Sequence, residues 1–111
     1  WLFIILIGFI MAIQSTTLTL ATSNIYASSG NTVISTMYFC NYGAAAANLN
    51  VWVTGVGSPF STTANIVYRE IQIAAADTFV IDKEKLVLAN GDYIRANSGG
   101  SISATVNYVG I

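Results

Sequence analysis

The chain has 111 residues, which suits one domain, and its 4 Lys+Arg and 5 Asp+Glu give a net charge of −1. Charged residues make up 8% of it, whereas soluble domains average about 25%. With no His and one Cys, the usual His/Cys metal sites and the Ser-His or Cys-His nucleophile pairs cannot be built. A near-neutral chain also lacks the clustered basic surface of nucleic-acid binders. We therefore expect neither an enzyme nor a nucleic-acid-binding protein, and no cofactor.

Residues 1–13 (WLFIILIGFIMAI) form an apolar N-terminal arm, interrupted by Gly8. The run is too short for a transmembrane helix, which takes about 20 residues. Four interpretations fit it: the apolar core of a signal peptide, the stalk of a pilin-like subunit, an arm that adds a strand to a neighbour's sheet, and an extension upstream of a start at Met11. A free arm of this composition would aggregate, so we favour an arm covered by a neighbouring subunit. Its expected contact residues are Trp1, Leu2, Phe3, Ile4, Ile5, Leu6, Phe9, Ile10 and Ile13.

Residues 14–111 predict a single antiparallel β-sandwich, of jelly-roll or immunoglobulin-like type, with about seven or eight strands. Runs of β-branched and aromatic residues are separated by turn signals roughly every ten residues, the spacing of a sandwich or barrel. The predicted strands are residues 17–21, 25–28, 32–40, 48–54, 65–73, 78–82, 92–96 and 102–109. Residues 98–101 (SGGS) predict a tight hairpin between the last two strands.

Alternation within the strands predicts the direction of their side chains. In residues 49–54 (LNVWVT) the Leu and Val side chains face one way and Trp52 faces the other. Residues 33–40 differ, because large apolar groups occupy both faces of that strand. Such a strand is central in its sheet, or its second face meets another subunit. We therefore add Met37, Phe39 and Trp52 to the expected contact residues.

The charged residues are confined to one part of the chain. All nine of them, 4 Lys+Arg and 5 Asp+Glu, lie between Arg69 and Arg95. Monomers in water normally spread mixed charges over the whole surface, whereas interface cores are depleted of charge and enriched in aromatic residues. We expect much of the uncharged part to face neighbouring subunits. The alternative is a solvated surface of Ser, Thr and Asn side chains.

The residues that could serve in catalysis or metal binding lack the spacing and surroundings that these functions require. Residues 82–85 (DKEK) would need buried carboxylates for acid–base catalysis, but their alternating charges predict a solvated loop. Asp77, Asp82 and Asp92 lack the close spacing of a calcium loop. Cys40 has no partner in the chain and is expected to be a buried free thiol. The sequence therefore predicts no catalytic, cofactor-binding or metal-binding residue.

Three stretches, taken in order, resemble one group of proteins. They are residues 32–41 (TVISTMYFCN), 65–82 (NIVYREIQIAAADTFVID) and 86–96 (LVLANGDYIRA). Together they resemble the small β-sandwich virion proteins of tailed bacteriophages, including phages of marine cyanobacteria. The resemblance covers residues 14–111, and residues 1–10 depart from it. It implies a structural, decoration or tail-associated role, and it supplies no catalytic residues to transfer.

The charge distribution and the resemblance agree on a protein that works through contacts. The first hypothesis is a non-enzymatic structural subunit of a phage virion, a capsid decoration or a tail or neck component, which binds copies of itself and other virion proteins. The alternative is an extracellular, pilin-like filament subunit, assembled through its apolar N-terminal segment by a donor-strand contact with a neighbour. A third hypothesis is a glycan-binding module that uses an outward Trp52. None of the three involves nucleic acid or a membrane span.

Overall fold

The computed structural model describes residues 11–57, 64–83 and 85–111. These ranges contain nine β-strands and no helix. The strands are β1 (Met11–Thr17), β2 (Ser23–Ala27), β3 (Thr32–Asn41), β4 (Ala47–Thr54), β5 (Ile66–Ile73), β6 (Thr78–Ile81), β7 (Leu86–Leu88), β8 (Tyr93–Ser98) and β9 (Ile102–Gly110).

The strands form two antiparallel sheets that pack face to face. Sheet I has the order β1-β9-β3-β6, with β7 also paired to β3, and sheet II has the order β2-β8-β4-β5. Because β6 and β7 lie along successive parts of β3, they act as one interrupted strand. β1 then pairs with β9, β2 with β8, β3 with β6 and β7, and β4 with β5. This is the strand pairing of a jelly roll. An immunoglobulin-like sandwich orders its strands differently, so the predicted all-β sandwich is confirmed and its topology is that of a jelly roll.

The core consists of the inward side chains of both sheets. Alternation along β9 points Ile102, Ala104 and Val106 inward, and each is at most 1% exposed. The largest fully buried apolar side chains are Phe39, Ile25, Ile34, Met37, Leu49, Ile94, Ile102, Val51 and Val106. Burial of each such side chain contributes about 1.5–3 kcal/mol, so this layer provides the main driving force for folding.

A chain of hydroxyl groups lies at the start of β3. The Tyr26 hydroxyl is 3.2 Å from Thr32 Oγ1, which is 2.9 Å from Ser28 Oγ. Ser28 Oγ also donates to the carbonyl of Gly30 at 2.7 Å. Ser28 donates its one hydroxyl proton to Gly30, so it accepts from Thr32, and Thr32 in turn accepts from Tyr26. Each of these buried hydroxyls therefore has a hydrogen-bond partner.

Asn41 lies at the other end of β3, where its side chain makes three hydrogen bonds. Its side chain is 0% exposed, and its Nδ2 donates to the carbonyls of Ala45 at 2.8 Å and Ile73 at 2.9 Å. Its Oδ1 accepts from the Gly43 N–H at 2.9 Å. One buried amide therefore fixes the β3–β4 connection and attaches it to the end of β5.

The connection between β8 and β9 is not the hairpin that residues 98–101 predicted. β8 belongs to sheet II and β9 to sheet I, so the glycine pair carries the chain from one sheet to the other. The Ser98 N–H donates instead to the carbonyl of Thr19 at 3.0 Å. A local turn signal does not reveal which sheet receives the next strand, and the prediction was wrong for that reason.

Two other elements differ from the predicted strands. The first strand is Met11–Thr17 rather than residues 17–21, because the whole of β1 pairs with β9. Leu86–Leu88 forms a short strand, β7, that was not predicted. Only three residues long, β7 is defined by its pairing with the start of β3 rather than by a pattern of its own.

Candidate subunit interface

The outward face of sheet I carries no charged side chain at the strand positions that the structure describes. Strand register aligns these positions in four rows across the sheet. The rows start on β1 or β9, cross β3 and, except for the second, continue to β6 or β7. They are Val109-Val33-Val87, Ile13-Asn107-Thr36, Ser15-Thr105-Tyr38-Val80 and Thr17-Ser103-Cys40-Thr78. We call these residues the sheet I face. A solvated sheet face would normally carry mixed charges.

Large apolar side chains are exposed on the sheet I face. Val87 is 69% exposed, Ile13 67%, Val80 42% and Tyr38 39%. They stand among small hydroxyl-bearing residues and the three-valine row. The lack of charge and the exposed apolar side chains are features that this surface shares with protein–protein interfaces.

A groove of about 360 Å³ lies where β1 and β9 meet a bulge in β3. Its lining includes Ala12, Ile13, Ser35, Asn107 and Tyr108. The bulge occurs at Ser35, whose Oγ donates to the backbone carbonyl of Asn107 at 3.2 Å. Asn107 Oδ1 is buried without a hydrogen-bond partner among the described residues.

Among the described strands, β1 forms one edge of sheet I. One side chain of β1 contacts sheet II: Gln14 Nε2 donates to the carbonyl of Ile25, on β2, at 2.9 Å. Residues 1–10 directly precede this edge strand in the sequence. Edge strands present unpaired backbone groups that can take up a further strand, so the apolar segment joins the fold beside a place where strand addition is feasible.

The outward face of sheet II has a different composition. Its strand positions carry Asn24 and Ala27 on β2, Tyr93, Arg95 and Asn97 on β8, Asn48, Asn50, Trp52 and Thr54 on β4, and Ile66 and Gln72 on β5. We call these residues the sheet II face. Five of these eleven residues are carboxamides, and Trp52 pairs with Arg95 on one side and Ile66 on the other.

Hydrogen bonds link the side chains of the sheet II face. Asn50 Nδ2 donates to Asn97 Oδ1 at 2.9 Å, and Asn97 Nδ2 donates to Thr22 Oγ1 at 3.1 Å. Arg95 donates to Asn24 Oδ1 at 3.1 Å and to the carbonyl of Thr22 at 3.0 Å. The network spans three strands and orders these groups before any partner binds.

The structure separates the contact residues expected from sequence. Met37 and Phe39 are 1% and 0% exposed and lie between the two sheets rather than on an accessible surface. β3 is flanked by β9 on one side and by β6 and β7 on the other, so Met37 and Phe39 face the core and its second apolar face lies on the outside of sheet I. Between these two residues, Tyr38 points outward and was missed, although alternation along β3 could have identified it.

Ile13 and Trp52 lie on opposite sheets. Ile13 is on the sheet I face, paired with Asn107, and Trp52 is half-buried on the sheet II face. They therefore cannot belong to one contact patch. The other expected arm residues, Trp1, Leu2, Phe3, Ile4, Ile5, Leu6, Phe9 and Ile10, lie outside the described residues.

The acidic residues considered for chemistry are dispersed. Asp82 and Lys83 are exposed, and Lys85 Nζ donates to the carbonyls of Ser35 and Asp82, as in a solvated turn. Asp92 instead stabilises loops, since its two carboxylate oxygens accept backbone N–H groups at 3.0 and 2.9 Å. Within the described ranges, no three His, Cys, Asp or Glu residues come together as a metal site would require.

Cys40 is a free thiol on the sheet I face, half-buried rather than fully buried. It stands between Ser103 and Thr78. Its place on an outward row makes it a natural reporter for coverage of that face.

No helix in the part of the chain that the structure describes is long and apolar enough to cross a membrane. A scan of protein-family models, a search of curated proteins and a search of solved structures each returned no match to this chain.

Proposed function

We propose that the protein is a non-enzymatic structural subunit of a tailed-phage virion, a capsid decoration or a tail or neck component, which acts through subunit contacts. The observation that carries the proposal is the sheet I face, with four uncharged rows and exposed Val87, Ile13, Val80 and Tyr38. Coverage of this face by copies of the chain or by other virion proteins would remove that apolar surface from water.

Two further features support this proposal. The jelly roll is an architecture that viral capsid domains use, although lectins and cupins use it as well. The resemblance of residues 32–41, 65–82 and 86–96 to small virion proteins of tailed phages independently suggests the same class. The fold and the resemblance favour a role on the particle, and the sheet I face supplies a means of attachment.

The test is incorporation of the chain into phage particles. Tyr38→Lys places a charge in the middle of the sheet I face, and Asn31→Lys places the same charge on an exposed turn outside it. Mass spectrometry of gradient-purified particles measures the copy number of each variant. We expect Tyr38→Lys to reduce incorporation at least tenfold and Asn31→Lys to leave it unchanged. Absence of the unaltered chain from particles, or equal incorporation of both variants, would contradict the proposal.

The alternative is an extracellular filament subunit assembled through residues 1–13. The position of β1 at an edge of sheet I favours it, because an arm from one subunit adds to such an edge in donor-strand assembly. Electron microscopy of the purified chain, with and without residues 1–10, separates the two functions. Filaments that form from this chain alone, disappear on deletion and survive Tyr38→Lys would establish the alternative.

A further inference from the structure

The sheet II face brings together an indole, several carboxamides and a guanidinium on adjacent strands. Trp52 pairs with Arg95, Arg95 pairs with Asn24, and Asn50 pairs with Asn97 in the next row. We propose that this face is a binding site for a neutral oligosaccharide. The proposal rests on sheet II, and it is independent of the contacts proposed for the sheet I face.

The spacing of these groups matches a short stretch of sugar chain. Same-face residues two apart on a strand stand about 7 Å from each other. The Trp52 row and the Asn50 row therefore extend over one or two sugar rings. Trp52 is half-buried, so the surrounding strands hold it in place and leave part of the residue accessible. Its apolar ring suits the C–H face of a pyranose, whereas the amides suit the hydroxyl groups.

The carboxamides are ordered but keep hydrogen-bonding capacity. A carboxamide has two N–H donors and an acceptor oxygen with two lone pairs. Asn50 Nδ2 donates one bond to Asn97, and Asn50 Oδ1 accepts one from the backbone N–H of Glu70 at 2.8 Å. At the neighbouring edge, Gln72 Nε2 donates to Asn48 Oδ1, and both residues are exposed. Preorganised groups of this kind cost less entropy when they bind a ligand.

The charge of the sheet II face favours a neutral sugar. Arg95 contributes one positive charge, which is already directed to Asn24 Oδ1 and the carbonyl of Thr22. At the β5 edge, Arg69 and Glu70 form an ion pair at 3.5 Å. Nucleic acids and acidic polysaccharides bind to clustered positive charges, which the sheet II face does not have. The centre of a protein–protein interface is more apolar than the amide-bearing residues of this face. A neutral polyhydroxylated ligand fits best.

The experiment is an array of neutral hexose and N-acetylhexosamine oligosaccharides, probed with the full chain and followed by calorimetric titration of the sugar that binds. We expect saturable binding, weakened at least tenfold by Trp52→Ala and by Asn48→Ala. Asn31→Ala removes an exposed carboxamide outside the sheet II face and is expected to leave the affinity unchanged. Asn48 is itself exposed, so Asn48→Ala keeps the test decisive if Trp52→Ala fails to fold.

Three results would overturn the proposal. One is an array on which no neutral oligosaccharide binds. Another is a bound oligosaccharide whose affinity is the same for the folded Trp52→Ala and Asn48→Ala variants as for the unaltered chain. The third is binding confined to heparin or a single-stranded oligonucleotide and abolished by salt, which would assign the face to polyanions.

Discussion

Gly100 packs directly against Ala47. A Cβ at position 100 would overlap the Ala47 Cβ and lie 3.4 Å from its Cα. Ala47 is the first residue of β4 in sheet II, and Gly100 lies in the connection from β8 to β9. Their contact sets how closely this connection passes over β4 as the chain changes sheets.

We expect Gly100→Ala to destabilise the fold. The added methyl group has no room unless β4 or the connection moves, and overpacking of this kind costs about 1–3 kcal/mol. The free energy of unfolding from urea denaturation measures the effect. Gly99→Ala is the matched control, because the nearest atom to its new Cβ, Leu20 Cδ2, lies 3.6 Å away. Equal losses from the two substitutions would show that the contact with Ala47 is not the cause.

Strand faces could be predicted from sequence because the alternation of side chains is a local property. The inward positions Ile102, Ala104 and Val106 follow from it directly. The sheet to which each strand belongs depends on pairing between distant segments, so the jelly roll could not be distinguished from the immunoglobulin-like sandwich. The same limit explains the β8–β9 connection, where the glycines signal a turn but not a change of sheet.

The contact surface was harder to predict than the fold. An apolar side chain in a strand is equally suited to a core and to an interface, so Met37 and Phe39 were placed on the wrong surface. The sheet I face becomes apparent when four rows from β1, β9, β3 and β6 or β7 are assembled. In sequence, Ile13, Tyr38 and Val87 are separated by dozens of residues, and nothing local marks them as neighbours.

We expect Asn41→Ala to be strongly destabilising. The substitution removes three hydrogen bonds from a side chain that is 0% exposed. At about 1 kcal/mol for each bond, the loss is about 3 kcal/mol. Thermal and chemical denaturation measure it, with Asn31→Ala as a control on an exposed turn, where surface substitutions change stability by about 0.5 kcal/mol or less. A loss no larger than that of the control would contradict the role of Asn41 in fixing the β3–β4 connection.

We expect Thr32→Val to disrupt the hydroxyl chain at the start of β3. Valine has nearly the shape of threonine but neither donates to Ser28 nor accepts from Tyr26, so the substitution costs about 1–3 kcal/mol. Thr36→Val makes the same change on the outward side of the same strand and is expected to be nearly neutral. Comparison of the two denaturation midpoints isolates the buried hydroxyl. Equal midpoints would show that the hydrogen bonds among Tyr26, Thr32 and Ser28 contribute no net stability.

We expect the thiol of Cys40 to be protected when the protein is assembled. Cys40 stands on the sheet I face beside Ser103 and Thr78, so a subunit covering that face blocks its reaction with a maleimide. The second-order labelling rate should fall at least tenfold between the dissociated chain and the assembled particle. A Cys40→Ser chain that also carries Asn31→Cys places the thiol on a turn outside the face, where we expect similar rates in both states. If Cys40 reacts equally fast in the two states, the sheet I face is open to solvent in the assembly, and the contacts must lie elsewhere on the protein.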